Sequence, residues 1–120
     1  MNGLAVITIN EEQVTLKFGL PALRHVLDAG TRYNIMIDEN HFNNLGLSHV
    51  LYGGYINDCM RKDVIAKREF SEFYDYVEDL PNEKIAELQS AIVAFGESRS
   101  VQDLVDNNKK KETAPTTENI

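Results

Sequence analysis

Hydrophobic and polar side chains alternate near the start of the chain in a way that predicts a β-hairpin. In the second of two short runs, the apolar Val14, Leu16 and Phe18 alternate with polar residues, which is the period of a half-buried strand. The first run, Leu4–Ile9, is rich in β-branched residues and apolar on both sides, so either face could be the buried one. The polar residues 10–13 supply the turn. Two strands alone are marginal in water, so we expect helices to cover them.

Apolar positions that recur every three or four residues predict about four helices after the hairpin. In chain order, the predicted helices cover about 20–30, 40–60, 69–80 and 82–97. Pro21 suits a first helical position, and Gly30 could end the first helix as a left-handed cap. The adjacent Gly53 and Gly54 suggest a close approach to a neighbouring element, with a break near Gly46 as the alternative.

The boundaries between these helices depend on short polar stretches. Apolar residues alternate within 31–37 and suggest a short extended segment or an ordered loop, and residues 61–68 form a polar connection. Ser71 and Asn82 are the expected N-caps of the third and fourth helices. Residues 98–107 add a weak turn carrying three apolar side chains.

Together these elements predict an α+β fold, predominantly α-helical, in which an N-terminal β-hairpin precedes about four helices. Residues 1–106 form a single globular domain, and residues 107–120 form a disordered tail, because their composition offers almost nothing to bury. The residues expected to share one core are Val14, Leu16, Phe18, Leu23, Leu27, Leu51, Phe73, Ile85, Leu88 and Ile92.

Composition narrows the function classes. A net charge of −7 on 120 residues repels the phosphate backbone of nucleic acid, so we expect no nucleic-acid partner. Acidic charge also favours solubility, and it leaves open a basic protein partner or mimicry of nucleic acid. No apolar run approaches the roughly 20 residues that span a bilayer. The single cysteine, Cys59, excludes an intrachain disulfide and fits a reducing compartment, and we expect it to be a small, half-buried apolar residue.

Candidate chemistry is sparse. The sequence lacks a glycine-rich phosphate loop, a nucleophile elbow and the common zinc motifs. His41 and His49 lie two helical turns apart, and Asp38 or Asp58 could complete a metal site with them. Solvated or partly buried histidines explain the same spacing without a metal. We therefore expect no metal, no cofactor and no enzymatic activity.

Three groups of motifs, in this order, resemble the tail assembly chaperones of long-tailed bacteriophages and prophages. They are Ile7-Thr-Ile-Asn10 with Val14-x-Leu-Lys-Phe-Gly19 and Ala22-Leu-Arg24; Leu51-Tyr-Gly-Gly-Tyr55 with Asn57; and Phe70-Ser-x-x-Phe-Tyr-x-Tyr-Val77 before a closing helix. The resemblance covers about residues 4–98, and residues 31–41 and 61–69 match no motif of that family.

The resemblance implies a protein that binds the long, largely helical tape measure protein and keeps it soluble while the tail tube assembles. It also implies a host-cytoplasmic location and a ribosomal frameshift whose longer product recruits tail tube subunits; the lysine run 109–111 could mark such a site. Surplus apolar and aromatic surface makes self-association an expectation. The residues expected to contact a protein partner are Tyr74, Tyr76, Ile85, Leu88, Ile92 and Phe95. A small acidic regulatory adaptor, or a nucleic-acid-mimicking interaction protein, is the alternative.

Overall fold

The computed structural model describes residues 3–34 and 44–106, and it confirms a mostly helical α+β fold with an N-terminal hairpin. The elements are β1 (Leu4–Ile9), β2 (Glu12–Lys17), α1 (Leu20–Tyr33), α2 (Asn44–Lys62), α3 (Phe70–Glu78) and α4 (Ile85–Glu97). A short 3-10 turn, Asn82–Lys84, leads into α4, and residues 99–106 are helical again. The predicted disordered tail, residues 107–120, lies outside the described residues.

The hairpin has a tighter turn than the sequence predicts. Strands β1 and β2 are antiparallel, with Ile9 opposite Glu12, so only Asn10 and Glu11 form the loop. Both loop residues have positive φ, 51° and 67°, which fits the twist of a two-residue hairpin. The predicted four-residue turn over 10–13 is therefore wrong, because Glu12 and Gln13 already pair in β2.

One face of the hairpin is buried and the other is open. The buried face carries Ile7, Ile9, Val14, Leu16 and Phe18. The opposite face presents Leu4 and Val6, each nearly half exposed. The alternation expected for β2 is confirmed, and the pairing with β2 decides which face of β1 turns inward.

Helix α1 runs further than its glycine suggested. It continues through Gly30 to Tyr33, and Asn34 takes the left-handed conformation with φ 53°, its N–H donating to the Gly30 carbonyl. The expectation of a cap at Gly30 is wrong, and so is the extended segment where it covers residues 31–33; residues 35–37 lie outside the described part of the chain. Asparagine tolerates the left-handed region, which allows it to replace glycine here.

The paired glycines of α2 lie at close contacts, as predicted. A Cβ on Gly53 would stand 3.1 Å from the Ala22 carbonyl oxygen of α1, and one on Gly54 would stand 2.6 Å from the Phe18 ring. Helix α2 runs without interruption through Gly46, so the alternative of a break there is wrong.

Helices α3 and α4 do not begin at the N-cap residues predicted for them. The backbone N–H of Glu69 donates to the Glu72 carboxylate at 2.9 Å, so Glu69, and not Ser71, stands at the N-terminus of α3. Asn82 begins the 3-10 turn and Lys84 precedes α4, so the expected Asn82 cap of α4 is also wrong.

The core contains most of the predicted residues. Those confirmed as buried are Val14, Leu16, Phe18, Leu23, Leu51, Phe73 and Leu88, and Ile92 packs against them while partly exposed. Leu27 and Ile85 are 50% and 41% exposed, so placing them in the core is wrong. Alanines take the inward positions instead, Ala22 and Ala29 on α1 and Ala91 and Ala94 on α4. Small side chains let the helices approach closely, which rotates the larger apolar residues outward.

The helical residues 99–106 extend the core beyond α4. Val101 and Leu104 pack against it, while Val105 is largely exposed. Within residues 3–34 and 44–106, no helix combines the length and apolar character needed to cross a bilayer.

Candidate functional site

The six residues predicted to contact a partner divide between core and surface. Tyr76, Leu88 and Phe95 are buried, and the Phe95 ring meets the Phe18 ring edge-on at 5.6 Å. They are therefore part of the core of the described chain, and which residues contact a partner stays a prediction. Ile85 is exposed, while Tyr74 and Ile92 are partly exposed.

Helix α4 closes the outer edge of β1 with polar contacts. The Glu87 carboxylate accepts the Thr8 backbone N–H at 3.0 Å and the Thr8 hydroxyl at 2.7 Å. The same carboxylate accepts the Tyr76 hydroxyl at 2.9 Å, and Lys84 Nζ donates to the Thr8 carbonyl at 3.2 Å. Both backbone groups of Thr8 on the edge are thus occupied.

The contacts of Glu87 and Tyr76 determine the ionisation state of each side chain. Burial raises the pKa of Glu87, but the hydrogen bonds from Thr8 and Tyr76 and the charge of Lys84 outweigh it, so the pKa lies below its usual value. Burial, and then the bond to Glu87, raise the pKa of the Tyr76 hydroxyl. At neutral pH the pair is a neutral phenol donating to a carboxylate.

A shallow groove lies between β1 and the outer side of α4. We call it the β1–α4 groove; it has a volume of ≈ 370 Å³ and is lined by Leu4, Ala86, Gln89, Ser90, Val93, Ala94 and Glu97. Val93 is 54% exposed and Leu4 is 48% exposed, and Val6 stands beside Leu4 on the same open face of the hairpin. Apolar side chains exposed together in a groove are typical of a surface that binds another protein.

The free edge of β2 is open, in contrast to that of β1. In a two-residue hairpin the pair beside the loop exchanges both hydrogen bonds, so alternate residues of β2 bond to β1. The Phe18 N–H, which donates to the Gly3 carbonyl at 2.7 Å, continues this series. The backbone groups of Gln13 and Thr15 therefore point away from β1, and no other described segment pairs with them.

A larger groove, ≈ 530 Å³, follows this edge, and we call it the β2-edge groove. Its lining consists of Glu12, Gln13, Val14, Thr15, Tyr55, Asp58, Cys59, Lys62, Val64, Ile65, Lys67, Arg68 and Glu72. The wall facing β2 is fixed in place, because the Tyr55 hydroxyl accepts the backbone N–H groups of Lys67 and Arg68 at 2.8 and 3.0 Å. The Arg68 guanidinium also bridges Glu12 and Glu72.

Two histidines that no sequence pattern pairs meet between α1 and α2. His25 Nε2 and His49 Nδ1 are 3.0 Å apart and share a hydrogen bond. The rings of Tyr33 and Phe70 stack against His49, the latter at 4.3 Å between centroids. A shared hydrogen bond inside an aromatic cluster favours neutral imidazoles.

Electrostatics at the pair agree with this geometry. Burial lowers the pKa of His25; Asp28 raises it and Arg32 lowers it, and the result is below the usual value. Burial, followed by the charge of His25, lowers the pKa of His49. Each histidine therefore resists protonation in the folded chain.

The metal site considered from the sequence finds no support where it can be examined. Of its four residues, His41 and Asp38 lie outside the described part of the chain. Asp58 is paired with Arg61 and Lys62, at 2.6 and 2.9 Å, and His49 is paired with His25. No three His, Cys, Asp or Glu side chains among residues 3–34 and 44–106 could hold a metal ion together. Cys59, expected to be half-buried, is buried.

Sequence reasoning missed both the β2-edge groove and the histidine pair. The adjacent Val64 and Ile65 are the signal for the groove, since two β-branched apolar residues stand inside a polar connection. His25 and His49 give no comparable signal, because their meeting depends on how α1 packs on α2.

Comparison with protein-family models, curated proteins and solved structures finds no match to this chain.

Proposed function

We propose that this protein is a phage tail assembly chaperone that binds the tape measure protein and keeps it soluble during tail tube assembly. The motif resemblance over residues 4–98 supports the family, and the exposed apolar surface supports a binding role. It acts in the host cytoplasm, and a frameshift-extended form recruits tail tube subunits. The protein has no catalytic role in this proposal.

The observation that carries the proposal is the β1–α4 groove. Leu4 of β1 and Val93 of α4 offer apolar contacts in it, and the small side chains of Ala86 and Ala94 also line it. A partner helix with an apolar stripe along one face can lie in such a groove. Binding would then remove both the stripe and the apolar residues of the groove from water. Gln89, Ser90 and Glu97 at the rim keep the free protein hydrated.

The proposal is tested by co-expressing the chain with the tape measure protein encoded on the same genome. We expect the intact chain to hold that protein in the soluble fraction and to co-purify with it. Val93→Asp places a charge in the β1–α4 groove and should abolish co-purification. Leu27→Asp is the matched control, because Leu27 is equally exposed, at 50% against 54%, but lies on α1. Both substitutions leave the core intact.

Two results would contradict the proposal. One is a tape measure protein that stays soluble without this chain and does not bind it; the other is equal binding by the Val93 and Leu27 variants. The acidic-adaptor alternative predicts a different outcome, namely binding to a basic protein that weakens steeply as salt concentration rises.

A further inference from the structure

We propose that the β2-edge groove binds one extended, acidic segment of a partner protein, which adds a third strand to the hairpin. This inference does not rest on the chaperone proposal, since a helical partner would occupy the β1–α4 groove on another surface. The same site would serve an interaction protein of any kind.

The open backbone of β2 supplies the first argument. Gln13 and Thr15 direct their N–H and carbonyl groups into the groove, whereas Thr8 on the opposite edge is bonded to Glu87 and Lys84. The β1 edge is therefore occupied by side chains at Thr8, whereas Gln13 and Thr15 on the β2 edge are left available. An extended peptide pairs with such an edge through main-chain hydrogen bonds.

The apolar wall supplies the second argument. Ile65 is 81% exposed and Val64 is 55% exposed, and both line the groove opposite β2. Because alternate residues of a strand face opposite sides, every second side chain of an incoming strand could cover them. The hydroxyl of Tyr55 holds the adjoining backbone in position, so the groove exists before a partner arrives.

The charged residues of the groove indicate that the incoming strand carries acidic side chains. Lys62, Lys67 and Arg68 line the groove of a protein whose net charge is −7. The three acidic residues there are already engaged, Asp58 with Lys62, and Glu12 and Glu72 with Arg68. Of the three cationic side chains that line the groove, Lys67 is the one that has no ion-pair partner among residues 3–34 and 44–106. A carboxylate on the incoming strand would pair with it.

The same charges argue against a second copy of this chain. In a β2-to-β2 pair, Glu12 is the one carboxylate that the second β2 strand would offer, and it is already bound to Arg68. Each copy would also bring its own wall of residues 62–68 to the same axis. A single extended segment has neither conflict.

The test is the binding of a fluorescent peptide, Thr-Val-Glu-Val-Glu-Val-Thr, to the full chain, measured by anisotropy. A peptide with lysine in place of glutamate is the charge-reversed probe. We expect saturable binding of the glutamate peptide and at least about tenfold weaker binding of the lysine peptide. On binding, the Thr15 amide should become protected from hydrogen exchange.

Two variants locate the binding site. Thr15→Pro removes one N–H from the free edge, a position where a strand tolerates proline, and should weaken binding by about tenfold. Ile65→Ser removes apolar contact at an exposed residue without touching the core, so it tests the groove even if the proline variant folds poorly. Val93→Ser is the matched control and should bind the peptide normally.

Three outcomes would overturn the inference. The first is no saturable binding of the glutamate peptide by the intact chain. The second is unchanged binding by Ile65→Ser together with an unprotected Thr15 amide. The third is a dimer in sedimentation that Ile65→Ser dissociates, which would show that a second copy fills the groove.

Discussion

At the scale of single residues, the glycines of α2 and α4 are chemically identical and differ in surroundings. Gly54 lies under the Phe18 ring and beside the Leu16 Cβ, so no side chain fits there without displacing one of them. Gly96 has no neighbour within 4 Å of where a Cβ would stand. Glycine is required at the first position by packing and is only a weak helix former at the second.

These surroundings predict opposite effects of one substitution. Gly54→Ala should destabilise the fold by about 1–3 kcal/mol, because the overpacked Phe18 ring cannot move freely in the core. Gly96→Ala should stabilise it by up to about 1 kcal/mol, through helix propensity. Urea denaturation of both variants measures the difference. If Gly54→Ala stabilised the protein, α2 would not pack closely against the hairpin at this position.

At the scale of elements, α1 depends on α2 for its N-terminus. The Asn57 side-chain oxygen accepts the backbone N–H of Gly19 at 3.0 Å and that of Ala22 at 3.1 Å. Gly19, which precedes the helix, has no capping side chain of its own. A residue 35 positions later in the chain therefore performs the role that a local serine or aspartate usually has.

Removing that distant cap should destabilise the whole fold. Asn57→Ala leaves two N–H groups without an acceptor at a buried site, which should cost about 1–3 kcal/mol. Asn82→Ala is the control, since Asn82 is exposed, and its free energy of unfolding should change by less than about 0.5 kcal/mol. Equal unfolding midpoints for the two variants would show that the Asn57 contact contributes nothing.

The elements also show which parts of the fold can be predicted from sequence patterns. Alternation in β2 and the three- and four-residue steps in α3 and α4 are local, and they predicted those elements correctly. The Asn57 cap and the alanine contacts of α1 and α4 depend on which elements meet, so Leu27 and Ile85 were misplaced. The candidate grooves are less predictable still, because each lies between a strand and a segment distant in sequence.

At the scale of the whole molecule, side-chain networks connect the hairpin to α3 and α4, and connect α1 to α2. Glu87 of α4 joins Thr8 of β1 to Tyr76 of α3, and the His25–His49 pair joins α1 to α2. Each network includes an ionisable group whose pKa the fold has shifted. Stability of the molecule as a whole is therefore linked to pH.

The histidine pair predicts a loss of stability over the interval in which the pH falls through about 6.5. Folding lowers the pKa of both His25 and His49, so the unfolded chain binds more protons as the pH falls through about 6.5. Stability should be complete above that value and decline below it, as measured by the urea midpoint at each pH.

A double substitution provides the control for this pH effect. Replacing both His25 and His49 with phenylalanine keeps the aromatic packing against Phe70 but removes the titrating groups. Its midpoint should change less across the same interval. Glu87 and Asp58, whose pKa values lie below the usual range, titrate at lower pH and do not interfere. An equal decline in the double variant would assign the effect to other groups.

Closure of the β1 edge by Glu87 and Lys84 also limits how this protein can aggregate. Endless strand-by-strand growth, the route to amyloid, needs two open edges on every molecule, and here α4 occupies one of them. If two copies pair through β2, each outer edge is then a β1 edge that is interrupted at Thr8, which opposes further addition. High protein concentration alone should therefore not seed fibres from this hairpin.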